Sequence, residues 1–125
     1  MKERLRLYKE FIDDLTKIRI GVLRQWVTQK GWPKLPENEK YNKLLYKLTK
    51  EEKETLSEMI QQSRDGGIHD TLVYLSEQIN NNELKLEKAG TELAFEPYAT
   101  ELFWDWTARC NGIDWPEHQL KIEYK

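Results

Sequence analysis

Three charged residues near the end of the sequence have a spacing that could place them on one side of a helix. Glu101, Asp105 and Arg109 lie four residues apart, and side chains at that separation project from the same helix face. Two carboxylates arranged in this way could bind a divalent cation through their oxygens. The alternative is structural: Asp105 pairs with Arg109, and Glu101 stabilises the start of the helix. We favour the structural interpretation, because such charge pairs are ordinary on solvated helices.

His69 and Asp70 form a second polar pair, directly after two glycines. A histidine there could act as a ligand or a base, because the ordinary pKa of histidine lies near neutrality. Equally, Asp70 suits the positive end of a helix, and Gly66-Gly67 would simply join two helices. His118 is the only other histidine, so a multi-histidine metal site is not expected within one chain.

The short motifs of common catalytic classes are missing from the sequence. It contains no glycine-rich phosphate-binding loop, no dinucleotide fingerprint, no His-Glu-x-x-His and no zinc-binding cysteine pair. A serine nucleophile elbow is also absent. Cys110 falls on the apolar stripe of its helix and is interpreted as a core residue, because a reactive thiolate needs an accessible, electropositive setting. We therefore assign no catalytic residue, no metal ligand and no cofactor from the sequence.

Trp104 is the residue whose position says most about function. On a helix it falls with Glu101 and Asp105, on the side opposite the apolar residues of the same segment. A large aromatic side chain on a polar face is typical of contact surfaces, where tryptophan is enriched. The predicted interaction surface consists of Trp104, Glu101, Asp105 and Trp115, and its partner would be a second copy in a homodimer or a different protein. The alternative is that the hairpin, Trp115 or the tail folds over Trp104 and covers it.

The composition indicates a folded protein with a heavily charged surface. Charged residues make up 34% of the 125 residues, yet the net charge is −2, and five Trp, six Tyr and three Phe supply material for one core. Lysines and glutamates alternate closely, which argues against nucleic acid as a partner. No apolar run approaches the roughly 20 residues that span a membrane. Because the single cysteine lacks a partner and the first residues do not resemble a signal peptide, we expect a soluble cytoplasmic protein.

Apolar residues recur at helical spacing through the first eighty positions. They predict a helix over about residues 2–30 and a second helix over about 37–48. A capping box beginning at Thr49 predicts the start of a third helix, which Gly66-Gly67 would end. A fourth helix is predicted over about 68–79.

The apolar period changes after three consecutive asparagines. Alternating residues predict a small hairpin within about 84–95, and helical spacing returns over about 98–110. The polar tail at 117–125 is expected to fray. The chain is therefore predicted to be mainly α: a single compact helical domain over 1–125, with about five helices and a small β-hairpin before the last one. The predicted core consists of Leu15, Ile18, Val22, Trp26, Leu45, Leu56, Ile60, Leu72, Leu75, Phe103 and Trp106.

Two parts of the sequence resemble a family of small bacterial proteins of unknown function. The first runs from Phe95 to Trp106 and continues as Ala108-Arg109 and as Asn111 to Pro116, and the second runs from Asp65 to Leu72. Together they cover about a quarter of the chain. The resemblance implies a bacterial source, and it implies no activity, since the family has none to transfer.

These patterns predict a non-catalytic protein-interaction or regulatory domain, of the type to which immunity proteins belong. The alternative is a small metal-assisted hydrolase. Its cleft would be formed by His69, Asp70, Glu101, Asp105 and Arg109. The two hypotheses differ in geometry, because the hydrolase requires these polar groups in one pocket and the interaction protein requires apolar surface.

Overall fold

A computed structural model describes residues 2–118 of the chain. Its elements, in chain order, are α1 (Lys2–Lys17), α2 (Leu23–Gln25) continued by a π-helical turn (Trp26–Lys30), a 3-10 turn (Pro36–Asn38), α3 (Glu39–Lys47), α4 (Lys50–Asn80), β1 (Glu87–Lys88), β2 (Thr91–Glu92) and α5 (Leu102–Cys110). The predicted mainly α class, with a hairpin before the last helix, is confirmed. Most of the predicted frayed tail lies outside the described residues. No helix within residues 2–118 combines the length and the apolar character needed to cross a membrane.

The chain divides into two compact units. The terminal unit comprises Met1–Ile18 together with Ile68–Lys125, and the central unit comprises Arg19–Gly67. Helix α4 contributes residues to both of them. The expectation of one domain over the whole chain stays a prediction.

The terminal unit is built around the pairing of α1 with α5. Its buried cluster contains residues of α1, α4, α5 and the segment after β2: Leu7, Tyr8, Ile12, Leu72, Leu93, Ala94, Leu102 and Trp106. The residues of α1 that enter this cluster recur at helical spacing, which is why one face of the helix is buried. The backbone N–H of Ala94 donates to the carbonyl of Arg4 at 3.0 Å, and this bond ties the end of the hairpin to α1.

The hairpin is a two-residue turn with very short strands. Glu87 pairs with Glu92 and Lys88 pairs with Thr91 in antiparallel register. The two turn residues, Ala89 and Gly90, have φ values of 50° and 84°. Positive φ at both central positions is the geometry of the turn that matches the twist of a hairpin.

The central unit has a smaller buried core. Val27 and Leu45 are its buried hydrophobic residues. Trp32 contacts Trp26 and Tyr41, with ring centroids 5.6 Å and 5.4 Å apart. These half-exposed aromatic contacts supply packing that the short helices of this unit do not provide by themselves.

The predicted first helix is interrupted between Lys17 and Leu23, where the chain leaves the helix, and helical structure then resumes over residues 23–30. The carbonyl of Arg19 instead accepts hydrogen bonds from Gln61 Nε2 at 3.2 Å and from Arg64 Nε at 2.7 Å. The Arg19 guanidinium donates twice to the carboxylate of Asp65, with both distances 2.8 Å. Side chains of α4 thus donate hydrogen bonds to a backbone carbonyl at the break and pair with the Arg19 guanidinium. These interactions compensate for the helical hydrogen bonds that the break removes.

The predicted boundary at Gly66-Gly67 is also wrong. The third and fourth predicted helices form one helix, α4, of 31 residues. Each glycine costs up to about 1 kcal/mol relative to alanine in a helix interior, and this cost does not end α4. The capping box is confirmed, since Thr49 and Glu52 exchange hydrogen bonds of 2.9 Å and 3.1 Å.

The last helix begins four residues later than predicted, at Leu102. Glu96 and Ala99 have φ values of 47° and 58°, which are incompatible with a helical run.

The predicted core is correct in part. Leu45, Leu72 and Trp106 are buried. Leu15, Leu75 and Phe103 are partly buried against the terminal core. Trp26, Leu56 and Ile60 are half-buried in the central unit. Ile18 and Val22 are wrong, with 57% and 56% of their surfaces exposed, because they lie in the break after α1.

Candidate functional site

Asp105 lies in the core of the terminal unit, with 3% of its surface exposed. One carboxylate oxygen accepts a short hydrogen bond from the Tyr8 hydroxyl, and the other accepts one from Thr100 Oγ1 at 2.5 Å. Burial raises the pKa of Asp105 and outweighs the opposing effect of these two hydrogen bonds. Burial and the nearby carboxylate also raise the pKa of Tyr8. Asp105 therefore links α5 to α1 and does not share an exposed face with Trp104.

Trp115 folds onto α1 and α5 and is half-buried. Its indole N–H donates to Asp13 Oδ1 at 3.1 Å, and its ring meets Tyr8 edge-on with centroids 5.9 Å apart. The Arg109 guanidinium carbon lies 4.2 Å from the centroid of the Trp115 ring. Two nitrogens of Arg109, Nε and Nη1, are buried and have no hydrogen-bond partner among residues 2–118. Arg109 therefore packs as a stacked cation in the terminal unit.

Trp104 and Glu101 are exposed. Trp104 leaves 60% of its surface uncovered within residues 2–118. Trp115, which was predicted either to share or to cover this surface, instead contacts Tyr8, Tyr98 and Arg109. Of the four predicted surface residues, Trp104 and Glu101 are exposed, whereas Asp105 and Trp115 pack inward. The role of Trp104 in binding stays a prediction.

His69 and Asp70 contact each other in the part of α4 that belongs to the terminal unit, close to where that part begins. Nδ1 of His69 lies 3.3 Å from the Asp70 carboxylate, and the His69 ring meets Phe103 edge-on at 5.0 Å. Within the part of the chain that the structure describes, no three His, Cys, Asp or Glu side chains are grouped as metal ligands would be. The polar contact of His69 is thus with its neighbour Asp70, while both oxygens of Asp105 are already hydrogen-bonded elsewhere.

A groove that sequence reasoning missed lies on the central unit. It encloses a cavity of about 630 Å³, and its lining includes Leu35, Pro36 and Tyr46 together with Lys34, Lys43 and Lys47. We call it the Tyr46 groove. A smaller cavity of about 260 Å³, which we call the Trp32 cavity, shares Lys34, Asn42 and Tyr46 with it.

Tyr46 is the most conspicuous residue of this groove, because 92% of its surface is exposed. It lies on α3, and Lys43 and Lys47, which are four positions apart on that helix, line the groove together with it. This alternation of lysine and aromatic residues was the signal available in the sequence. The prediction of a helix over about 37–48 rests on its apolar residues alone and does not use these lysines.

The loop before α3 is held by hydrogen bonds within the central unit. The side-chain amide of Asn42 accepts from the Trp32 N–H at 2.8 Å and donates to the Trp32 carbonyl at 3.1 Å. The carbonyl of Pro33 accepts from the Leu35 N–H at 2.8 Å and from Asn38 Nδ2 at 2.9 Å. The apolar residues that line the Tyr46 groove therefore project from a braced loop.

A family model, described as a family of unknown function (DUF6547), matches residues 1–117. The chain belongs to this family. The match extends through α1 and the central unit, so the resemblance seen over a quarter of the chain was too narrow in extent. No curated protein and no solved structure matches the chain. Membership of DUF6547 therefore identifies relatives without transferring an activity or a set of site residues to this chain.

Proposed function

We propose that this DUF6547 protein is a non-catalytic protein-interaction domain and that its central unit presents the binding surface. One observation carries the proposal. Twelve large hydrophobic residues are exposed among residues 2–118, and eight of them lie in the central unit. These eight are Ile20, Val22, Leu23, Leu35, Tyr41, Leu44, Tyr46 and Met59.

The physical reason is the cost of leaving this much apolar surface in water. Burial returns roughly 25 cal/mol for each Å² of apolar surface, and scattered single exposures are ordinary. A concentration of exposed hydrophobic residues on a unit that buries two hydrophobic residues, Val27 and Leu45, favours a contact surface. A partner that covered part of this surface would recover free energy that the isolated unit forfeits.

The hydrolase alternative has weaker support. In this hypothesis the Asp105 carboxylate binds a divalent cation, but both of its oxygens accept hydrogen bonds in a buried position. A buried carboxylate with both oxygens hydrogen-bonded is typical of a structural role and not of a residue in an open catalytic cleft. We extend the proposal to a regulatory role of immunity type, a bacterial source and a cytoplasmic location, which stay predictions.

The proposal is tested by isolating a partner and rebuilding the complex. The tagged protein is used to purify interacting proteins, and the complex is then reconstituted from purified components. Leu35→Ser with Tyr46→Ser should abolish the reconstituted complex, because both side chains are exposed in the central unit. Tyr74→Ser is the matched control, since Tyr74 is also exposed but belongs to the terminal unit. Hydrolytic activity that Asp105→Asn abolishes, with no complex formed, would contradict the proposal.

A further inference from the structure

We infer that the Tyr46 groove binds an acidic amphipathic segment of a partner protein. The inference rests on the proposed function and adds the chemistry of the partner. It draws on charge, on apolar lining and on the arrangement of two adjoining cavities.

The charge around the groove is strongly one-sided. The Tyr46 groove and the Trp32 cavity are together lined by five lysines: Lys30, Lys34, Lys43, Lys47 and Lys53. Glu39 is the one acidic residue in the two linings. This surface is therefore positively charged, although the net charge of the whole chain is −2. A partner segment rich in Asp and Glu would be complementary to it.

The lining between the lysines is apolar and aromatic. Leu35 is 49% exposed and Tyr46 is 92% exposed, so both have apolar surface that a ligand could cover. The two cavities meet at Tyr46, which belongs to both linings. A helical segment presents apolar side chains at every third or fourth position, and adjoining cavities can receive successive ones. The surface therefore fits an amphipathic segment better than it fits a uniformly charged one.

Nucleic acid and anionic membranes are the competing anionic partners, and the lining favours neither. It contains no arginine, the residue that binds phosphate in bidentate fashion, and Leu35 and Pro36 offer no hydrogen-bond donor from their side chains. A membrane surface does not require a concave site of about 630 Å³. Asn42 of α3 also braces the preceding loop through Trp32, so the groove is fixed before binding, which reduces the entropic cost of recognising one shaped segment.

The test is a selection from a random-peptide display library on the full chain. The counter-selection uses the Lys43→Glu, Lys47→Glu double variant. We expect the enriched peptides to combine an excess of Asp and Glu with apolar residues three or four positions apart. The best peptide should lose about tenfold or more in affinity when its acidic residues become Asn and Gln, and a similar factor with Tyr46→Ala. Lys2→Glu with Lys85→Glu, both at exposed positions of the terminal unit, is the charge-matched control and should change the affinity by less than about twofold. Circular dichroism of each variant checks that it is folded.

Several results would overturn the inference. Selected peptides without acidic excess, or affinities that the lysine substitutions leave unchanged, would show that the charge is not used. Binding of a single-stranded oligonucleotide or of phosphatidylserine vesicles that depends on the same lysines would assign the groove to a different partner, and a dimer that Tyr46→Ala dissociates would assign it to a second copy. If the selection fails while Leu35→Ser with Tyr46→Ser still abolishes a reconstituted complex, only the acidic chemistry is wrong. If both experiments fail, the proposed function is wrong as well.

Discussion

The hydrogen bond between Tyr8 and Asp105 joins two residues that are 97 positions apart in the sequence. Sequence spacing relates Asp105 only to residues on its own helix. From those neighbours alone, a carboxylate is expected to be exposed at the surface. The tyrosine that accounts for its burial belongs to α1. Because no local pattern relates α1 to α5, the site residues could be listed from the sequence but their exposure could not be predicted.

Tyr8→Phe should lower the free energy of unfolding by about 1–3 kcal/mol, because it leaves one oxygen of the buried Asp105 carboxylate without its donor. Chemical denaturation measures the change. Tyr74→Phe removes the hydroxyl of an exposed tyrosine and serves as the control, with an expected change within about 0.5 kcal/mol. Equal effects of the two substitutions would contradict the buried hydrogen bond.

The stability contributed by Asp105 should depend on pH. Burial raises its pKa in the folded protein, so between the ordinary pKa of aspartate and this raised value the folded state binds more protons than the unfolded state. The contribution is therefore complete at lower pH and is lost as pH rises through the folded pKa. Asp65 has the opposite sign, because the hydrogen bond from Arg19 lowers its pKa and its contribution is lost as pH falls.

The measurement is the free energy of unfolding as a function of pH for the natural protein and for Asp105→Asn. The difference between the two curves removes the contribution of Asp65 and isolates that of Asp105. We expect the natural protein to lose stability relative to the variant as pH rises. A flat difference curve would show that Asp105 has no raised pKa.

Trp104 and Trp106 lie two positions apart on α5, and their truncation should destabilise the protein to very different extents. Trp106 is 3% exposed, so Trp106→Ala should cost about 3–5 kcal/mol. Trp104 is 60% exposed, so Trp104→Ala should cost less than about 1 kcal/mol. Denaturation midpoints measure both effects, and light scattering on the Trp104 variant tests for a homodimer. A large loss of stability in Trp104→Ala, without a change in mass or binding, would contradict an interaction role for this residue.

At the level of the elements, features set by neighbouring residues were predictable from the sequence. The capping box at Thr49 and the hairpin turn at Gly90 depend on residues within a few positions. Gly21 allows a kink in the predicted first helix, but the extent of the break after α1 could not be predicted, because the side chains that satisfy the Arg19 carbonyl lie 42 and 45 positions further along the chain. The pair Gly66-Gly67 predicts the end of a helix, but α4 continues through both glycines despite their low helix propensity.

The continuity of α4 makes a specific prediction for its two glycines. A Cβ atom added at Gly66 or at Gly67 meets nothing within 4 Å. Gly66→Ala and Gly67→Ala should therefore each raise the free energy of unfolding by about 0.5–1 kcal/mol. Gly112→Ala is the control, because Gly112 has a φ of 76° and alanine there should be destabilising. Thermal denaturation distinguishes the cases, and destabilisation by the α4 substitutions would indicate a turn in place of a helix.

At the level of the whole molecule, burial is unevenly divided between the units. The terminal unit contains a cluster of eight buried residues, whereas the buried hydrophobic residues of the central unit are Val27 and Leu45. The total apolar content of the sequence could not reveal this division, because exposed and buried hydrophobic residues are the same types. The apolar spacing of the first predicted helix includes Ile20, Val22 and Leu23. All three side chains are exposed in the structure.

Hydrogen exchange should follow this division. Backbone amides of α3, in the central unit, should exchange faster than those of α1, whose buried face lies in the terminal cluster. Mass spectrometry of exchanged peptides measures both rates in one sample. A bound partner should slow exchange in α3 and leave α1 unchanged. Uniform exchange in the free protein would show that the two units open together.

The pairing of α1 with α5 also has a consequence for the order of events during synthesis. Tyr8 leaves the ribosome 97 residues before Asp105, and at about 5–20 residues per second this interval is roughly 5–20 s. During that time the apolar face of α1 has no access to its final neighbour, whereas the residues of the central unit are contiguous and emerge together. The nascent chain therefore exposes an amphipathic helix that a chaperone could shield until translation reaches α5.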